Sequence, residues 1–198
     1  MKKFELTTEF VEKYGRKLFR IKALIKFGYI NAGEVGGYVE KEENLAQDSN
    51  AWVYGDAWVS GNAEVSGNDE VYGDAWVYGD AEVSGNAEVY GNARVSGDAE
   101  VSGNAWVYGD AWVSGNAEVS GNADYLLIGR IGSRFGFTTF FKNKDKGITV
   151  ACGCFLGTIA EFRAKVKETH GENKHAKMYD LAADMAELQI LGVDRNED

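Results

Sequence analysis

The 198-residue sequence has only two cysteines and two histidines, and neither type occurs between Ala51 and Asn122, a stretch that also lacks lysine. Two thiols, Cys152 and Cys154, in a chain of this length exclude a disulfide framework. A segment without His, Lys or Cys holds no group that titrates near neutrality by default, which argues against proton abstraction there. No apolar run is long enough to cross a bilayer and no signal peptide opens the chain, so the cytoplasm is the expected location. Basic residues are scarce in the same stretch. Residues 51–122 carry twelve acidic side chains against Arg94, a net of −11, whereas the remainder has nineteen acidic against twenty basic, so the overall −10 resides in the middle of the chain. Such a surface is ill suited to phosphate backbones and excludes direct nucleic-acid binding as the first reading.

What fills that stretch is a repeat. From AWVYGD at Ala51 to AEVSGN ending at Asn122 there are twelve hexapeptides without insertion or deletion. Each has Val in third place and Gly in fifth, and eleven begin with Ala, Asp69 being the exception. Six residues are too few for a helical repeat; they suit one short strand and one corner of a parallel β-helix. With Val inward, the second and fourth side chains point outward. Gly and the following Asn or Asp supply the corner. One unit buries too little by itself, so coils must stack.

Three units per coil give a period of eighteen, and sorting the repeat by that period separates three faces. The first carries Tyr54, Tyr72, Tyr90 and Tyr108 in fourth place, with Trp52, Glu70, Glu88 and Trp106 in second. The second carries Trp58, Trp76, Arg94 and Trp112, and the third Glu64, Glu82, Glu100 and Glu118, all in second place. One corner, Asn68, Asn86, Asn104 and Asn122, is expected to stack as an amide ladder.

The V-Y-G-D-A-W units resemble the hexapeptide repeat of the left-handed β-helix superfamily, known for trimeric acyltransferases; the handedness is implied by that resemblance. GGYVEKEENLAQDSNAWV at 36–53 and ACGCFLGTIAEFRAKVKETHG at 151–171 are also similar to a group of uncharacterised hexapeptide proteins of phages and prophages, which brings no activity with it. Enzymes of the superfamily use a histidine base or three histidines on a metal. The repeat here offers neither, so the resemblance implies the fold more than the reaction.

The flanks complete a mainly β architecture of about four coils with two additions. Residues 1–44 are expected to form an N-terminal cap, with a β-hairpin over 3–24 turning at Tyr14-Gly15-Arg16 and a loop at Gly33, Gly36 and Gly37. The β-helix is assigned to 45–123. Residues 124–198 read as an α+β module: strands at 125–129, 135–141 and 147–152, a helix opened by the capping box Thr158–Glu161, and a second helix from about Asn173. Met178, Leu181, Met185 and Leu188 recur on it at three and four spacing, a stripe for packing, oligomerisation or docking.

Three sets of residues are candidates for function. Trp58, Trp76, Arg94 and Trp112, with the tyrosines Tyr54, Tyr72, Tyr90 and Tyr108, form outward aromatic faces that suit an interface, the second face first, with Arg94 stacking on its indole neighbours. The glutamate ladder Glu64, Glu82, Glu100 and Glu118 is a solvated face or a surface for a basic partner. Cys152, Cys154, His170 and His175 contain the donor types of a tetrahedral zinc site, although Cys-x-Cys is closer than the usual structural pair and two buried thiols explain it more simply. A reactive Cys154 at the start of the helix near Thr158 is a further reading. No metal or other cofactor is expected. The resulting expectation is a non-enzymatic scaffold, encoded by a phage or prophage, that binds a second copy or a basic host protein; alternatives are an acidic inhibitor of a nucleic-acid-binding host protein such as a defence nuclease, or a hexapeptide acyltransferase.

Overall fold

The computed structural model describes residues 1–193. β1 (Phe4–Lys13) and β2 (Arg16–Ala23) form the hairpin, and β3 (Val35–Val39) pairs antiparallel with β2. The repeat then gives one two-residue strand per hexapeptide, from β4 (Trp52–Val53) to β15 (Glu118–Val119). Every third-place Val and every leading Ala is buried to within 1%. The core is therefore a column of small aliphatic layers, each closed only by the coil above and below.

Register shows the eighteen-residue coil directly. Glu64 pairs with Glu82, Glu82 with Glu100 and Glu100 with Glu118, all in parallel. Main-chain bonds follow the same step, as where Glu64 N–H donates to the Ala81 carbonyl at 2.9 Å. The corner glycines from Gly55 to Gly115 sit at φ between 57° and 94°, the left-handed region where a side chain is costly. Stacking tightens the demand, since a Cβ on Gly67 would stand 2.6 Å from the Gly85 carbonyl oxygen.

Two expectations need correction. The solenoid starts before the regular hexapeptides: β3 pairs in parallel with the Trp58–Val59 strand, and Leu45 bridges Val65, so residues 35–50 make an irregular first coil and the total is about five turns. Gly36 and Gly37 thus lie in a strand rather than a loop. Gly36 is required there because a Cβ would come within 2.6 Å of the Trp52 ring and the Val53 oxygen. The amide ladder is displaced by one coil. It runs Asn50 to Asn68 to Asn86 to Asn104 at 2.9, 2.9 and 3.2 Å, whereas Asn122 enters a 3-10 turn and its Oδ1 accepts from Trp106 N.

The C-terminal module is an antiparallel sheet of β16 (Tyr125–Ile131), β17 (Gly136–Lys142), β18 (Ile148–Cys152) and β19 (Phe155–Thr158), followed by α1 (Ile159–His170) and α2 (Lys174–Leu191). Thr158 and Glu161 form the reciprocal cap that opens α1. Strand β19, which no sequence signal marked, lies between Cys154 and the N-terminus of α1. Phe140, Ile148, Val150, Phe162 and Val166 form a second core with the alanines of α2. The β17–β18 turn docks on the last coil, where Lys144 N–H donates to the Asn116 carbonyl at 3.0 Å.

Candidate interaction surfaces

The second face is the most altered by tertiary structure. Its strands continue through β3 into β2 and β1 as one seven-stranded sheet. The hairpin tip then folds back over the indoles: Tyr14 stacks on Trp76 with centroids 4.9 Å apart, and Lys13 Nζ lies 3.7 Å from the Trp58 ring. Below the indoles the fourth-place serines Ser60, Ser96 and Ser114 are buried, and the first two are hydrogen-bonded. Ser60 Oγ accepts from Trp76 Nε1 at 3.2 Å and Ser96 Oγ from Trp112 Nε1 at 3.4 Å. Trp58, Trp76 and Trp112 are each partly buried. Arg94 pairs in register between Trp76 and Trp112. It lines an open cleft of about 320 Å³ with Asn92, Asp110 and Trp112, while among the described residues the cation seated on an indole is Lys13.

The first face stays more open toward its C-terminal end. Tyr54 donates to Glu70 at 3.1 Å and Tyr72 to Glu88 at 2.8 Å. Burial first, and then these carboxylates, push both phenols well above their ordinary range. One coil further Trp106 replaces the glutamate, so Tyr90 lacks the equivalent acceptor. The rings of Tyr72, Tyr90 and Tyr108 form a stack with centroids 4.9 and 5.5 Å apart. It ends at Tyr108, which meets Tyr125 edge-on at 6.2 Å; Tyr108 and the neighbouring Trp106 are each 46% exposed beside a cleft of about 310 Å³ that Leu127 and Gln189 also line. Trp52 departs from the outward expectation. Phe4 and Phe27 enclose it edge-on and leave it fully buried, because the irregular first coil and the hairpin cover this end of the face.

On the third face the four glutamates form a column, and the module's turn neutralises part of it. Lys144 Nζ lies 2.7 Å from Glu100 and Lys146 Nζ 2.8 Å from Glu118. Hydrogen bonding and charge raise both lysines and hold the Glu118 carboxyl below its ordinary value. Glu64 and Glu82 are the exposed rungs that remain. No periodicity links Lys144 or Lys146 to the ladder; the available sequence signal is a Lys-x-Lys turn following an acidic repeat.

In the module, Cys152 accepts from Thr138 Oγ1 at 3.2 Å and lines a cavity of about 110 Å³ with Phe155, His170 and Tyr179. The Tyr179 phenol is pushed up to about 12 by burial and by Cys152. Cys154 is exposed, and the rings of His170 and His175 lie 5.8 Å apart. Among the described residues no three His, Cys, Asp or Glu side chains are grouped to hold a metal ion. Nor is any helix among them long and apolar enough to cross a membrane.

Met178, Leu181, Met185 and Leu188 all lie on the outer side of α2, between 39% and 64% exposed. Residues 99–115 match a family model described as the YdcK beta solenoid repeat, so about one coil of this chain is similar to that repeat. A comparison with curated proteins finds no match.

Proposed function

We propose that this β-solenoid is a non-enzymatic interaction scaffold whose docking surface is the open end of the first face, around Tyr90, Trp106 and Tyr108. One observation carries this reading: Trp106 and Tyr108, at the C-terminal end of the first face, are each 46% exposed, while Trp58 and Trp76 of the second face lie under the hairpin tip. Rigid aromatic rings held by stacking lose little entropy on binding, and such residues dominate interface energetics. A phage or prophage origin fits the resemblance in the flanking segments. An inhibitor of a basic, nucleic-acid-binding host protein is the second reading, favoured by the exposed rungs Glu64 and Glu82.

Affinity capture with the intact chain and a Trp106→Ala, Tyr108→Ala variant tests this. A partner retained by the parent and lost by the variant supports the docking surface; equal capture by both overturns it. Heat of binding with acetyl-CoA in calorimetry would favour a transferase instead.

A further inference from the structure

Helix α2 is apolar on two sides. Its inner side is built of small residues, Ala176, Ala182, Ala183 and Ala186 around Tyr179, which let the helix lie close against the sheet. Its large side chains point the other way: Met178, Leu181, Met185 and Leu188 are 39%, 64%, 56% and 54% exposed. A surface helix normally carries its large apolar residues inward. The inverse arrangement, at 3-4-3 spacing, is the seam of a helix pair.

We infer that α2 pairs antiparallel with α2 of a second copy of this chain, which deepens the scaffold reading by naming one partner. Two observations select that occupant and direction. The seam is self-complementary when reversed: Met178 meets Leu188 of the other copy and Leu181 meets Met185, giving mixed Met–Leu layers throughout. The charges run against the helix's own dipole, with exposed Lys174 and Lys177 in its first turns, no acidic residue in the first turn and no basic residue in the last. Within one molecule that is unfavourable. An antiparallel neighbour brings its carbonyl-rich last turn, near Gly192, beside those two lysines, whereas a parallel neighbour would place lysines beside lysines. An eighteen-residue helix is about 27 Å long. Contact over that length is at the low end for specific interfaces, so the dimer dissociates on dilution.

Sedimentation velocity across about 1–300 µM protein reads the result: the parent shifts from monomer to dimer, and Leu181→Glu, Met185→Glu stays monomeric with unchanged circular dichroism and melting temperature. Direction is read by disulfide trapping in a Cys154→Ser background. A mixture of M178C and L188C chains yields a 178–188 cross-link, and neither variant alone links efficiently. A parent that stays monomeric throughout, a double variant that still dimerises, or a 178–178 link overturns the inference. Loss of the dimer with aromatic capture intact leaves the scaffold reading standing, and the reverse outcome leaves the dimer standing.

Discussion

Tyr14 lies on Trp76 with ring planes 8° apart, although sixty-two positions separate them in sequence. Tyr14 adopts φ 51°, a region that suits Asn or Gly better than an aromatic residue. The stack, worth about 0.5–1.5 kcal/mol beyond burial, offsets that cost. Replacing Tyr14 by Asn keeps the turn and removes the ring. Acrylamide quenching of tryptophan fluorescence is expected to increase as Trp76 and Trp58 open, with melting temperature nearly unchanged.

The glutamate column predicts opposite signs from its two halves. Glu64→Gln with Glu82→Gln removes repulsion between adjacent exposed rungs and raises the melting temperature at low salt. Glu100→Gln with Glu118→Gln strips Lys144 and Lys146 of their partners and lowers it. Both effects fade in high salt because all these groups face solvent. Melting curves across sodium chloride concentrations check the crossover.

Asp69 interrupts the inward alanine column. It is fully buried, its Oδ1 accepts from Ala87 N at 2.7 Å, and its Oδ2 is without a partner among the described residues. Burial pushes its carboxyl up to about 7, against the pull of the Ala87 main-chain N–H. A carboxyl raised on folding contributes stability that is complete below its unfolded value near 4 and is lost as pH rises through about 7. Asp69→Asn keeps the acceptor without the charge. Denaturant unfolding should show the variant more stable by about 1–3 kcal/mol at pH 8, with the difference shrinking toward pH 4.

Gly36→Ala separates close approach from turn geometry, since Gly36 has no positive φ. Its Cβ would meet the Trp52 ring, the Val53 oxygen and Ile21 within 2.7 Å. Overpacking of this kind costs about 1–3 kcal/mol. Trp52 should lose its buried fluorescence signature in the variant, whereas Gly33→Ala, with open space around it, leaves that signature intact.

Most of the solenoid was legible because a hexapeptide with fixed Val and Gly leaves one way to bury the Val and turn the chain. Period and face assignment followed, as the Glu64–Glu82–Glu100–Glu118 register shows. The irregular coil over 35–50 was not legible. It lacks the Val–Gly spacing and is held in the stack by its neighbour, through pairs such as Tyr38 with Trp58. Trp52 departs from the outward expectation for the same reason: alternation sets which way a side chain leaves the strand, not that Phe4 and Phe27 cover it.

The sequence alone therefore determined the coil, its eighteen-residue period and the acidic column, since these are local patterns repeated until stacking enforces them, and the three-and-four spacing of apolar residues on α2. Only the tertiary structure decided which of those surfaces stay open. The hairpin reaches back to Trp76, and the β17–β18 turn sets Lys144 and Lys146 on Glu100 and Glu118. Such contacts join segments tens of residues apart, where no periodicity in the chain links one partner to the other.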